Sequence, residues 1–210
     1  QQRSSAASDV YKRQLLDPYF SATKIKWILD NVENARKMAE KGELCFGTIE
    51  TYLVWNLTEE KSHKTDATNA SRTMLMNLET LEWDDSLLEI FDIPKNILPE
   101  ICSCDDNFGS IDTCDQKFPI TGVIGDQQSA LFGQNCFEFG EMKSTYGTGC
   151  FLMVNTKEKI YKSDARLLST VGCMLGNKVS YALEGSIFSA GTSIQWLSLI
   201  HISEPTRRTP

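Results

Sequence analysis

The sequence has 210 residues, with 21 Lys and Arg against 28 Asp and Glu, a formal net charge of −7 at neutral pH. An acidic balance without a Lys/Arg cluster excludes nucleic acid and an anionic membrane surface as main partners. No apolar run approaches the roughly 20 residues of a membrane span, and seven cysteines, an odd number at irregular spacing, read as reduced thiols of a soluble cytoplasmic protein.

The two ends stand apart. Asp9-Val10-Tyr11-Lys12-Arg13-Gln14 and Leu197-Ser198-Leu199-Ile200-His201-Ile202 can be encoded by one six-codon DNA stretch and its reverse complement, and their flanks translate from sequencing-library adapters. Residues 1–14 and 197–210 are therefore expected to be non-native and carry no fold reasoning. What remains, residues 15–196, holds 16 Lys and Arg against 26 Asp and Glu and all seven cysteines.

Along that segment, residues 21–40 predict one helix, with Ser21 as cap, Ile25, Ile28, Leu29 and Val32 on its apolar face and Gly42 as its stop. Residues 46–57 fit helical and alternating periods alike, and Gly47-Thr48 before Glu50 favours a helix start. Residues 73–78 are strand-like, after which Asp84-Asp85 opens a helix over Leu87, Leu88 and Phe91 that closes before Pro94. Residues 105–117 are polar and predict a loop. Ile120-Thr121-Gly122-Val123-Ile124 predicts an apolar strand running into Gly125-Asp126-Gln127-Gln128 and a small-residue helix from 128 to about 134. Beyond Gly133 the pattern turns antiparallel β, at 142–146, 150–155, 167–175 and 178–184, with Gly176-Asn177 as a tight turn. Ser189-Ala190-Gly191 then begins a last helix reaching Trp196, whose small residues let something lie against its N-terminus.

Two features carry chemistry. An Asp at the end of a parallel strand lies in the crevice where open α/β folds bind ligands, and the glycine-flanked Gly147-Thr148-Gly149 allows backbone N–H groups close to phosphate oxygens. Together they suggest phosphoryl transfer. The competing local reading makes Asp126 a turn residue satisfying nearby backbone. Cys102-Ser103-Cys104 with Cys114 lacks a second pair or a nearby His, so a variable loop is preferred to a metal site. Arg72 reads as a buried structural arginine paired with Asp66 or a carbonyl, and His63 as part of a solvated turn.

The ordered blocks carry more than their parts. Tyr19-Phe20-Ser21-Ala22-Thr23-Lys24-Ile25-Lys26-Trp27-Ile28-Leu29-Asp30-Asn31, Gly42-Glu43-Leu44-Cys45-Phe46-Gly47-Thr48-Ile49, Thr68-Asn69-Ala70-Ser71-Arg72-Thr73, Gly125-Asp126-Gln127-Gln128, Thr145-Tyr146-Gly147-Thr148-Gly149-Cys150 and Tyr181-Ala182-Leu183-Glu184-Gly185 resemble the sugar and polyol kinases, the glycerol kinases among them. The resemblance implies an α/β, actin-like ATPase (ribonuclease H-like) fold, with residues 15–132 ending an N-terminal domain and 133–196 beginning a C-terminal one. It implies ATP-dependent phosphorylation of glycerol to glycerol 3-phosphate, with Mg²⁺, glycerol and ATP/ADP as ligands and a homo-oligomer as a possible assembly.

Carried over position by position, Asp126 resembles the general base and Gln127 a hydrogen-bond partner of the glycerol hydroxyls, with Tyr19 covering the carbon chain. Thr148 would contact the nucleotide phosphates, and Gly191 and Gln195 would lie along the nucleotide. Structural roles for Tyr19 beneath the first helix, Gln127 at a helix cap and Gln195 on an exposed face are the alternatives. At the level of function the alternatives are a kinase of another polyol or sugar and a non-catalytic actin-like binding module. The 210-residue chain alone is expected to be inactive. Asp115-Gln116-Lys117 replaces a Gly-rich loop of some relatives, which argues against a regulatory sugar-phosphate site.

Overall fold

A computed structural model describes residues 18–113, 116–165 and 167–198. The expected non-native ends fall outside these residues except for Leu197 and Ser198, and Cys114 and Asp115 also lie outside them.

The predicted helix over 21–40 is two helices, α1 (Ser21–Asn31) and α2 (Ala35–Glu40). Val32 leaves the helical region and Asn34 sits at φ 62°, a left-handed conformation that Asn tolerates better than most side chains. The buried stripe of α1 is Ala22, Ile25 and Leu29, whereas Ile28 and Val32, expected inside, are half exposed. Phe20, not Ser21, takes the cap position, and no side-chain cap bond forms there. Phe20, Ile25 and Leu29 join Leu75, Leu88, Phe91 and Ile97 in one core, where each large side chain contributes about 1.5–3 kcal/mol of burial.

The ambiguous stretch after Phe46 is helical, α3 (Ile49–Leu57), and begins beyond Thr48, whose hydroxyl donates to Glu50. His63 is not a solvated turn residue: it is half-buried, its Nε2 lies 2.7 Å from the Phe46 carbonyl, and its ring meets Trp55 edge-on at 5.8 Å. Strand β1 (Lys64–Asp66) pairs in parallel with β2 (Glu100–Cys102) and feeds the short helix α4 (Ala67–Ala70), capped by Asp66.

Residues 73–78 are largely buried, as a strand would be, but among the described residues form only a single bridge, Met76 to Trp83. Met74 at φ 66° interrupts the extended path. Helix α5 (Asp85–Phe91) follows expectation: Asp84 Oδ1 accepts from the N–H groups of Ser86 and Leu87 at 3.0 and 3.2 Å, a cap whose loss costs about 1 kcal/mol.

The expected polar loop over 105–117 contains most of a hairpin, β3 (Ser110–Thr113) with β4 (Gln116–Pro119). Its second strand is exposed throughout, so no apolar alternation betrays it, and Lys117 reaches Glu59 at 3.0 Å. Residues 120–124, expected as a strand, run without a ladder. They are tied at isolated points, Ile120 N–H to the Gly109 carbonyl (2.7 Å) and Val123 N–H to the Cys104 carbonyl (3.0 Å), and pack on Val54, Cys102 and Phe108.

Helix α6 (Asp126–Gly133) begins two residues earlier than predicted. The antiparallel region is as expected: β5 (Met142–Tyr146), β6 (Cys150–Lys157), β7 (Leu168–Leu175) and β8 (Lys178–Ile187) form one sheet in the order β5-β6-β8-β7. Gly176 turns the β7–β8 hairpin at φ 52°. Helix α7 (Gly191–Leu197) closes the described chain. Among the described residues no helix is long and apolar enough to cross a membrane.

Candidate active site

The parallel strand that ends in an aspartate is β1, and its Asp66 is fully buried and structural. Asp66 Oδ2 accepts from the Thr68 N–H at 2.8 Å and from the Thr68 hydroxyl, while Oδ1 takes the Asn69 amide at 2.6 Å. Burial raises the pKa of this carboxyl against those bonds. The Thr68 hydroxyl in turn accepts the Gly125 N–H at 2.8 Å. Asp126 is therefore delivered by a side-chain relay from β1 through Thr68, in place of the strand predicted before it.

Gly125 gives Gln128 room. A Cβ there would lie 2.6 Å from Gln128 Oε1, and Gln128 is itself buried, with its Nε2 3.4 Å from Thr170 Oγ1 on β7. With α6 pinned on both sides, Asp126 stands exposed on its first turn, where the helix dipole favours a carboxylate. Its Oδ1 accepts the Gln127 N–H at 2.8 Å.

Asp126 and Gln127 open onto a cavity of about 240 Å³ shared with Tyr19, Asn69, Arg72, Gly125, Gln128, Phe151 and Glu184. Three predicted residues, Tyr19, Asp126 and Gln127, thus meet in one place. Arg72, expected to pair with Asp66 or a backbone carbonyl, instead pairs its guanidinium with buried Glu184 on β8 at 2.7 Å and stacks over Phe20 (5.0 Å) and Tyr19 (5.8 Å). Asp66 is saturated by α4, which leaves the arginine to the one buried carboxylate across the cavity.

Thr148, Gly191 and Gln195 do not line this cavity. Thr148 sits at the exposed β5–β6 turn, and Gly191 packs against that turn. Gly191 N–H donates to the Gly147 carbonyl at 3.0 Å, and the N–H groups of Ala190 and Thr192 converge on the Thr148 carbonyl at 2.8 and 3.4 Å. What lies against the start of α7 is the chain's own glycine turn. A Cβ on Gly191 would fall 2.3 Å from the Gly147 oxygen, and one on Gly149 2.6 Å from the Ile187 oxygen, so both positions need glycine. Gln195 is exposed on α7.

The two clusters share strand β5. Lys143 of β5 is buried and donates to Gln127 Oε1 and, at 2.9 Å, to Thr145 Oγ1. Three residues on, about 10 Å along an extended strand, the chain enters the Thr148 turn. Burial lowers the Lys143 pKa, and the charges of Glu184 and Asp126 oppose that shift. Sequence reading passed over Lys143, Phe151 and Glu184. A lysine in a strand pattern reads as an outward residue, and nothing local announces that its face is closed.

The cysteine cluster is built for burial. Cys102 is pushed up to about 11 by desolvation, and the Cys104 thiol is raised through its bond with Cys173 and by burial. Thiolates are disfavoured at Cys102 and Cys104, while the bond from Cys104 lowers the Cys173 pKa, and among the described residues no group of three His, Cys, Asp or Glu could hold a metal ion.

Residues 2–133 match the N-terminal domain of the FGGY family of carbohydrate kinases. The chain belongs to that family. Among curated members, the glycerol kinase of Fusobacterium nucleatum is 59% identical over 186 residues, covering 87% of this chain and 37% of that protein. The glycerol kinase of a Marinomonas species is 57% identical over 185 residues, with the same two coverages. The chain thus spans little more than a third of these relatives' length. Among solved structures, Plasmodium falciparum glycerol kinase with ADP superposes with a TM-score of 0.89 at 41% identity, over 96% of this chain and 41% of that one. A xylulose kinase from Brucella ovis matches at a TM-score of 0.80 and 17% identity, over 95% of this chain and 41% of that one, a likeness of fold alone. The FGGY chain accordingly has the mixed α/β, actin-like ATPase architecture.

Proposed function

We propose that a protein of the relatives' length carrying this chain is a glycerol kinase, transferring the γ-phosphoryl group of ATP to a terminal hydroxyl of glycerol. The observation that carries the reading is the shared cavity of Asp126, Gln127 and Tyr19, read beside 59% identity to a glycerol kinase. Asp126 takes the proton of the attacking hydroxyl; the oxygen forms the new bond to Pγ as the bond to the bridging oxygen breaks and ADP leaves. Gln127 bonds a second hydroxyl, and the exposed ring of Tyr19 covers the carbon chain.

On the nucleotide side, Thr148 offers a hydroxyl beside the glycine turn, with Gly191 and Gln195 following it along α7. Mg²⁺ keeps several waters and is held through phosphates with one or two carboxylates, so the lack of a three-residue cluster among the described residues fits an ion arriving with the nucleotide. Asp126, the exposed carboxylate of the cavity, is the residue able to approach it. When bound, Mg²⁺ offsets phosphate charge. Likeness to glycerol kinases supports assigning it to the cytoplasm.

The test is ADP release by the full-length protein with glycerol, run in parallel with pentuloses and other polyols. Turnover strongest on glycerol is expected. No ADP release above background with glycerol at millimolar concentration overturns the assignment, and preference for a pentulose moves the substrate within the family.

A further inference from the structure

Lysine is almost never fully buried unless its charge is answered, yet Lys143 is 1% exposed in the middle of this site. It lies behind the cavity wall. An ammonium has three N–H donors and no acceptor, so its contact with Gln127 can only be made to the carboxamide oxygen. That contact decides which way the Gln127 amide stands. The hydroxyl oxygen of Thr145 accepts a hydrogen bond from a second N–H of the ammonium at 2.9 Å, and Glu184 and Asp126 supply opposing charge at longer range.

Glu184 is held in turn. Its Oε1 accepts from Arg72 Nη2 at 3.1 Å and its Oε2 faces Arg72 Nη1 at 2.7 Å, with no aligned hydrogen bond to Oε2. Glu184 thus answers Arg72 directly and Lys143 only at longer range, across Met153 of β6, while the direct contacts of Lys143 are to Gln127 and Thr145.

We infer that Lys143 is the positioning residue of this site, fixing Gln127 Oε1 so that the Nε2 amide is presented to the cavity as an N–H donor for a hydroxyl oxygen of the phosphoryl acceptor. This rests on Gln127 touching the acceptor, as proposed above. Asp126 and Gln127 then form a complementary pair on consecutive residues, the first accepting a proton from one hydroxyl and the second donating to the oxygen of another. Such a pair recognises a vicinal polyol or hydroxyketone and rejects an acceptor that lacks the second oxygen, because the amide N–H would be left unpaired.

A double-mutant cycle in the full-length kinase tests this, with Lys143→Met, Gln127→Ala and the combination. The acceptor is whichever one the wild type phosphorylates. Lys143→Met is expected to raise the acceptor KM about tenfold or more while the ATP KM stays within about twofold. In the Gln127→Ala background the same change is expected to move the acceptor KM by less than about threefold, since its target is gone. Equal effects in both backgrounds, or acceptor and ATP KM rising together, overturn the inference and make Lys143 a packing residue.

If Lys143→Met does not fold, Gln127→Glu gives the answer. It keeps an oxygen for the ammonium and removes the N–H donor, so the acceptor KM is expected to rise about tenfold with the melting temperature kept or raised. An unchanged KM overturns the inference. A wild type that prefers a sugar over glycerol removes only the glycerol assignment, whereas one that phosphorylates no acceptor ends both.

Discussion

The two residue clusters of the candidate site are held by different physics. The Asp126 end is positioned by side chains, in the relay Asp66 to Thr68 to Gly125 on one flank and Lys143 to Gln127 on the other. The Thr148 end is positioned mainly by backbone, with the N–H groups of Ala190, Gly191 and Thr192 on turn carbonyls, the Thr192 hydroxyl adding a bond to the Thr148 carbonyl at 3.5 Å, and glycines where no Cβ fits. Side-chain relays tolerate conservative exchange and fail by stages. A position where an added Cβ would fall 2.3 Å from a carbonyl oxygen admits no substitution without displacing the turn.

The sharpest separation of the two halves comes from Asp126→Asn in the full-length kinase. It is expected to lower kcat by about 10²–10⁴-fold, the scale of a lost general base, with the acceptor KM nearly kept. Single-turnover kinetics check this, and full turnover by the variant would remove Asp126 from the chemistry. Next in size is Gly191→Ala, where the new methyl must push the Gly147 carbonyl aside, costing about 1–3 kcal/mol of stability and raising the KM for ATP more than that for the acceptor. Equal rises in the two KM values would mean that the halves are not independent.

Thr68→Ala strikes the other half without touching a ligand. It leaves the Gly125 N–H without its partner, an expected loss of about 1–2 kcal/mol in denaturant titration, and Thr68→Ser should recover most of it. The smallest effect is one of pH. Because the folded-state pKa of Asp66 is raised, the folded protein holds that proton more tightly than the unfolded chain. Its contribution is full below the ordinary carboxylate range and is lost as pH rises through the raised value. Asn at 66 cannot titrate. The melting temperature of the wild type relative to Asp66→Asn is therefore expected to fall as pH climbs from about 4, and a constant difference would show that Asp66 is not perturbed.

Much of this was legible in the chain and some of it misled. The strands of the large sheet were readable because alternation, a Gly-Asn turn and short spacing are local signals, and α5 because Asp84 caps it through bonds two and three residues away. The strand read into residues 120–124 was apolar for a different reason: Ile120 and Val123 cover Phe108 and Cys102 without joining a ladder. The break between α1 and α2 rested on one left-handed Asn34, which pattern does not register. The β3–β4 hairpin was hidden because β4, exposed on both faces, carries no period.

Asp126, Gln127 and Tyr19 came from the sequence as a set because the blocks that hold them resemble one kinase family in content and order. The partner of Arg72 and the buried face of Lys143 could not come that way. Each depends on residues well apart in sequence meeting in space, Arg72 with Glu184 being the wider pair, whereas Asp66 is satisfied locally by Thr68 and Asn69. By itself the chain determined the Asp84-capped helix α5, its hairpin sheet and the residue types that chemistry requires, since those are written in spacings of two to four residues. Only the tertiary structure decided which charge answers which and which way an amide faces, because burial and pairing are properties of the packed neighbourhood and not of any segment.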